Sequence, residues 1–542
     1  MSETNKESTC KSHHIFLYPF IIEKQAEKYQ ECLDSGQNWK KWKAPDYKTN
    51  PKEAMDAFMV GQYFNKEARE ILQDHDNGKD NCVRYRYNES IVQNTRYIIE
   101  GFVVENEIKK FYRYSLPVNN IELFLFHKKV GILKFETRTE GNVSLEDCKK
   151  INDFGRRILL PYISRDREQD RDENGTILCA DYLGLQFKDN RRFVKCFRDE
   201  MREWSGLSRA DYKAPAFLYA LIFGEFGNDD APESFPEMEN IQSVTDDRMY
   251  LCSIILDDRL DKIIKNWGHD SEGEKEAKKR AEENAKAIYA LAFADWGDAT
   301  CQNANMRRRL LDKAIYTRWS DWGTLYSVSN SAFLCMATTT APEDAVVRPF
   351  LTEYYLIAVL VLAQKVSITD FSQQAAEKTS GVEAKDMIPE NQVKDLIQLH
   401  EEYVAWMNRE YLLEVTEQEQ GVDIYGLLQE QLGIPMHIER LQTQLQGLFS
   451  VANVSEGRQL NQKGTELGKK GMIFAGFAVG WAFCAVLVDI LLNIPNFAVS
   501  SDNEAIWFAF SSYCMSYVPA AVLVLMIGLT VVGYRWAAEK GW

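Results

Sequence analysis

Two apolar runs near the C-terminus constrain this chain more than any other feature. Residues 471–492 hold a single charge, Asp489, and residues 505–534 hold none. Each run is long enough to cross a hydrocarbon layer about 30 Å thick. Arg458, Lys463, Lys469 and Lys470 precede the first run, Arg535 and Lys540 follow the second, and the acids Asp502 and Glu504 are the only charges between them. Because positive residues stay on the cytoplasmic side, the pattern predicts a multi-pass membrane protein with both termini in the cytoplasm and a short outside loop. No apolar run resembling a signal peptide opens the chain, which agrees with a cytoplasmic N-terminal part.

The first run is two-faced. Small or polar residues recur at alternating spacings of four and three: Gly457, Asn461, Gly464, Gly468, Gly471, Ala475, Ala478, Ala482, Ala485, Asp489. A heptad-like repeat of this kind keeps one helical face small from the cytoplasm into the membrane. Ile473, Phe474, Phe477, Trp481, Leu487 and Val488 fill the other faces. The stripe suits tight helix packing, and Gly476 and Gly480 add a G-x-x-x-G pair. It also suits the lining of a pore, in which Asp489 forms a ring of carboxylates favouring cations. Two helices per chain cannot enclose a channel, so the pore reading requires a symmetric homo-oligomer.

The other 470 residues read as a soluble α/β (α+β) part. The mean hydropathy of −0.36 and the 27% charged residues describe an acidic soluble protein, because apolar residues are concentrated at the C-terminus. A formal charge of −16 argues against direct contact with nucleic acid, which needs clustered Lys and Arg. Strands are expected in VRYRYNESIVQNTRYIIEGFVVE, FYRYSLPV, NIELFLFHKKVGILKFETRT and YTRWSDWGTLYSVSNS, with Val130-Gly131 as a bulge or tight turn. LEDCKKINDFGRRILLPYI reads as a helix on that sheet. The stretch from Glu353 is apolar at its centre but too short to span, so a buried helix is expected there. A helix over about Glu390 to Glu419 follows, and then a stalk helix whose seam is Ile438, Leu441, Leu445, Leu448 and Ala452. The expected organisation is a cytoplasmic sensor domain over 1–350, a helical stalk over 351–470, a pore-lining helix over 471–493, an outside loop over 494–504, a second spanning helix over 505–535 and a tail over 536–542.

No Walker A loop, nucleophile elbow, H-E-x-x-H helix or dinucleotide-binding glycine set is present, so no enzyme is expected and no catalytic residue is assigned. The eleven cysteines include no C-x-x-C pair, and no metal-ligand set is assigned. Arg84 and Arg86 alternate along an expected strand, and Arg156 and Arg157 follow Gly155. These four are the candidate anion or ligand site, with surface ion pairs as the alternative.

Two C-terminal spans, a long helix running into the first of them, a short outside loop and an α/β N-terminal domain together resemble the CorA superfamily of divalent-cation channels. The resemblance covers roughly Ile121 to the C-terminus. It implies a homopentamer in the lipid bilayer of the bacterial inner membrane, with the first span lining the pore and Mg2+ or another divalent cation as a possible ligand. The family signature, Gly-Met-Asn followed by an aromatic residue, is matched here only by Asn496 and Phe497 of Ile494-Pro495-Asn496-Phe497, so Asn496 alone is carried over as a pore-mouth residue. The implied pore set is Gly471, Ala475, Ala478, Ala482, Ala485, Asp489 and Asn496. IELFLFHKKVGILKFETRT and RWSDWGTLYSVSNSAFL are similar to segments of divergent bacterial CorA-like proteins. Some of those belong to type III CRISPR antiviral defense, in which a nucleotide messenger such as SAM-AMP opens the membrane effector. The resemblance therefore implies a channel gated by a cytosolic ligand, with a constitutive magnesium transporter or a poreless membrane-anchored scaffold as the other readings.

Overall fold

The computed structural model describes residues 10–73, 82–105, 108–141, 143–159, 180–187, 192–197, 215–226, 241–244, 248–267, 275–296, 300–379, 388–493 and scattered positions from Tyr517 to Arg535. The chain divides into two compact units, one formed by Met1–Glu377 with Leu399–Leu445 and the other by Lys378–Gln398 with Gln446–Trp542.

The first unit is mixed α/β and is built on one large sheet. Its strands are β1 (Lys11–Ile22), β2 (Trp39–Lys41), β3 (Cys82–Tyr87), β4 (Thr95–Glu105), β5 (Ile108–Phe126), β6 (Val130–Arg138), β7 (Tyr182–Phe187), β8 (Arg192–Cys196), β9 (Ile241–Ser243), β10 (Tyr250–Leu256), β11 (Ile315–Tyr316), β12 (Thr324–Val328) and β13 (Ala332–Ala337). The order is β11-β12-β13-β10-β1-β6-β5-β4-β7-β8, with β3 beside β5, β2 beside β3 and β9 beside β1. Every pairing is antiparallel except that of β10 with β13.

Period-two alternation decides which side chains face which layer. Phe16, Tyr18 and Phe20 of β1, Leu123 and Leu125 of β5, and Leu133 and Phe135 of β6 enter one hydrophobic core. Their neighbours Glu122 and Lys134 point to the opposite face, where the helix Tyr355–Thr379 lies with its Tyr355 hydroxyl 3.2 Å from Glu122. That helix is buried for most of its length, as its central apolar run led us to expect. Two turns of π-helix, Glu343–Val347 and Phe350–Tyr354, lead into it.

Two local expectations shift. The turn between β5 and β6 is His127-Lys128-Lys129, not Val130-Gly131; His127 and Lys128 take the left-handed conformation. Gly131 lies inside β6, where a Cβ would stand 2.1 Å from the Phe20 ring, so it is needed for close approach and not for turning. FYRYSLPV and NIELFLF form the single strand β5. Pro117, which has no N–H to give a ladder, sits where β5 changes partners: β4 pairs with it up to Pro117, and β6 takes over from Val118.

The helix expected over LEDCKKINDFGRRILLPYI is opened by a capping box between Ser144 and Asp147 but stops at Phe154, so Arg156 and Arg157 lie beyond its end. The expected helix over 390–419 stops at Arg409, and a separate helix, Glu419–Gln431, follows. Gly433, at φ 73°, ends it, and a 60-residue helix, Ile434–Asn493, begins. In the second unit, Val393 and Leu396 of the helix Glu390–Arg409 pack with Leu448 and Ala452 of that long helix. Lys463 pairs with Glu390 at 2.9 Å there.

Among the described residues, two helices are long and apolar enough to cross a membrane, Glu343–Thr379 and Ile434–Val486. The first is mostly buried within the first unit, as a core helix is, whereas the apolar window of the second is 0% buried. Of the expected second span, 505–535, only scattered residues are described, and they are helical. The outside loop lies outside the described residues.

Candidate functional site

The structure brings Arg84 and Arg86 together on one face of β3, pointing toward β5 and β6. Register explains the cluster: Arg86 pairs with Glu122, and Glu122 pairs with Lys134, so three charges stand in one row across three strands. Opposite charges placed directly across a sheet attract. Glu122 Oε1 accepts from Arg84 Nη2 at 2.6 Å and from Nε at 3.2 Å, while Oε2 accepts from Lys134 Nζ at 3.1 Å. The Arg84 guanidinium lies 4.6 Å from the Trp42 ring and 5.2 Å from that of Phe124, and Lys134 Nζ is 4.6 Å from the Tyr355 ring. Arg86 donates to Glu53.

Such a cluster survives burial only because it is internally paired. Burial disfavours the Glu122 anion, but the attraction of Arg84, Lys134 and Arg86 outweighs that and holds its carboxyl well below the usual range. For Lys134, burial likewise opposes the charge, and Glu122 and Tyr355 reverse the balance and raise its pKa. Glu136, partly buried, is pulled down to about 2: desolvation opposes its charge, and Lys134 outweighs that.

This cluster forms the floor of a cavity of about 470 Å³. The helix Pro51–Tyr63 contributes Glu53, Asp56 and Val60 to its wall, and the π-helical turns contribute Glu343, Asp344 and Leu351. Arg84 and Arg86 line it; Arg156 and Arg157 do not. Arg156 is buried and donates to the carbonyl oxygen of Ala294 at 3.1 Å, and Arg157 pairs with Asp153 at 2.8 Å, so both fasten the end of the helix Leu145–Phe154. Sequence reasoning missed Glu122 and Lys134. Their signal was available as single charges inside otherwise apolar stretches, NIELFLF and GILKF, where burial demands a partner.

On the long helix, all ten residues of the small stripe from Gly457 to Asp489 are exposed. Apart from the helix's own backbone, no atom of the described residues comes within 4 Å of where a Cβ would stand on Gly471, Gly476 or Gly480. Between 471 and 489, the described side chains that are partly covered are Ile473, Phe477, Cys484 and Val488. At about 100° per residue, the centre of that covered face lies about 130° around the helix from the centre of the stripe. Asn496 lies outside the described residues. Among the described residues, no group of three or more His, Cys, Asp or Glu side chains is placed to hold a metal ion. His13 and His14 do not join in one: His14 is buried against Asn152 and Ser12, and burial lowers its pKa to about 3. Compared with known protein families and with curated proteins, the chain matches none.

Proposed function

We propose that the chain is a CorA-like ion channel of the bacterial inner membrane, a homopentamer opened by a small cytosolic ligand of the nucleotide-messenger class, such as SAM-AMP, so that ion leakage serves antiviral defence. One observation carries the reading: the small-residue stripe faces away from the covered side of its helix and is left open along its length, up to a carboxylate at Asp489. A single chain has no use for such a face. A ring of chains does, because small side chains around an axis leave room for an ion and an acidic ring near one end favours cations. The first unit supplies a cavity of ligand size, and the ligand must bind open and closed states with different affinity for gating to follow.

The test is ion flux through purified protein in liposomes, with and without SAM-AMP, at several Mg2+ concentrations. Flux that appears only with the messenger is expected, and Asp489→Asn should lower its preference for cations. Flux controlled by Mg2+ alone would replace this reading with a magnesium transporter, and no flux under any condition would replace it with a membrane-anchored scaffold.

A further inference from the structure

We infer that the cavity over Arg84 and Arg86 binds a small, donor-rich molecule carrying one phosphate, a nucleoside monophosphate or a molecule of that chemistry; the inference rests on the ligand-gated reading and gives it a site. Three buried polar atoms of residues that line the cavity have no hydrogen-bond partner: Trp42 Nε1, Arg86 Nε and Asn120 Oδ1. Trp42 is only 6% exposed. A buried indole N–H without an acceptor costs about 1–3 kcal/mol, and protein interiors rarely carry such a cost without a use for it. The two nitrogens call for acceptor atoms and Asn120 calls for a donor. A molecule that presents oxygens to the two nitrogens and a hydroxyl or amino group to Asn120 would satisfy all three.

Charge narrows the class. The cavity lining holds five cationic side chains and five carboxylates. Four of the cations are already engaged: Arg84 and Lys134 by Glu122, Arg86 by Glu53, and Arg348 by Asp56 and Asp344. A triphosphate would meet more repulsion than attraction. A single phosphate would take Lys52 and the unpaired Nε of Arg86, whose Nη1 is held by Glu53, leaving Asp56, Glu343 and Asp344 to accept hydrogen bonds from hydroxyl and amino groups. The volume of about 470 Å³ is within the usual range for small-molecule sites. One wall is made of π-helical turns, which recur at functional sites and can change register. An occupant therefore bears directly on the start of the buried helix Tyr355–Thr379.

The experiment is calorimetric titration of the full-length protein in detergent with AMP, and in separate arms with ATP, adenosine and inorganic phosphate. AMP is expected to bind, and each of the other three to bind at least tenfold more weakly. Trp42→Phe removes the N–H but keeps a ring for Arg84 to stack on; it should weaken AMP binding about tenfold, the worth of one buried hydrogen bond. Arg86→Gln should do the same; because it also removes the ion pairs with Glu53 and Glu122 it should melt somewhat lower than the wild type while still folding, whereas Trp42→Phe, which sheds an unsatisfied N–H, should melt no lower. Absence of AMP binding at millimolar concentration overturns the inference, as does binding that both folded variants retain or that phosphate alone reproduces. Failures of site and gating are separable. SAM-AMP-dependent flux that survives both substitutions upholds gating and removes this cavity from it, whereas AMP binding lost in both variants without any flux upholds the cavity and removes the gating.

Discussion

Glu353→Gln should stabilise the protein above neutral pH and leave it unchanged in acid. Glu353 is 5% exposed and sits on the π-helical turn just before the helix Tyr355–Thr379. Burial raises its carboxyl from 4.5 to about 7, with Arg348 opposing the rise and Asp56 adding to it. The native chain therefore keeps this proton up to about pH 7, whereas the unfolded chain releases it near 4.5. Between those values the native state binds more protons, so stability falls as pH rises. Displacement of the carboxyl over that interval corresponds to about 3 kcal/mol lost by pH 7 and above. Glutamine does not titrate and escapes the loss. The assay is thermal unfolding of the detergent-purified chain from pH 4.5 to 8, followed by tryptophan fluorescence, with variant and wild type compared at each pH. The pairwise difference cancels other groups, including His14, whose depressed pKa of about 3 costs stability in the opposite direction, as pH falls below 6.5. A difference that opens from near zero to several degrees is expected. Parallel profiles across the whole range would refute the argument that Glu353 is held protonated.

Three further outcomes test other parts of the structure. Glu122→Gln leaves Arg84 and Lys134 buried without their anion and should cost about 3–5 kcal/mol, read as a large fall in melting temperature that Lys134→Met in the same chain partly restores. Gly131→Ala forces a methyl group into the Phe20 ring and should destabilise by about 1–3 kcal/mol, with Phe20→Leu in the same chain relieving it. Ala482→Leu should abolish liposome flux while the oligomer stays intact by size-exclusion chromatography; dissociation of the oligomer would show the stripe to be a packing seam.

Much of the sheet was legible because its strands alternate Val, Ile, Tyr and Phe with turn residues between them. The buried helix after Glu353 and the seam from Ile438 to Ala452 were legible for the same reason: apolar spacing reports burial. Two errors came from reading residues by habit. Gly131 looked like a turn residue, but the left-handed positions fell to His127 and Lys128, whose side chains are held by Glu410 and Glu27. Pro117 looked like a strand end, yet a strand can continue past a proline where it changes partners. The candidate site was half legible. Alternation put Arg84 and Arg86 on one face, but only the register of β3, β5 and β6 could show that Glu122 and Lys134 complete the row. Shared positive charge had suggested grouping Arg156 and Arg157 with them, and tertiary structure placed those two elsewhere.

The four-and-three spacing of the small stripe also fixes a handedness. A straight α-helix turns a heptad pattern by about 20° per repeat. Over the 32 positions from Gly457 to Asp489 that accumulates to about 90°, a quarter of the helix circumference. Straight, parallel helices would therefore turn one end of the stripe away from any common axis. A ring of chains that keeps the whole stripe on its inner wall winds its helices into a left-handed superhelix, and a change in that winding, which alters the inclination of every helix to the axis, would rotate the Asp489 carboxylates into or out of the ion path.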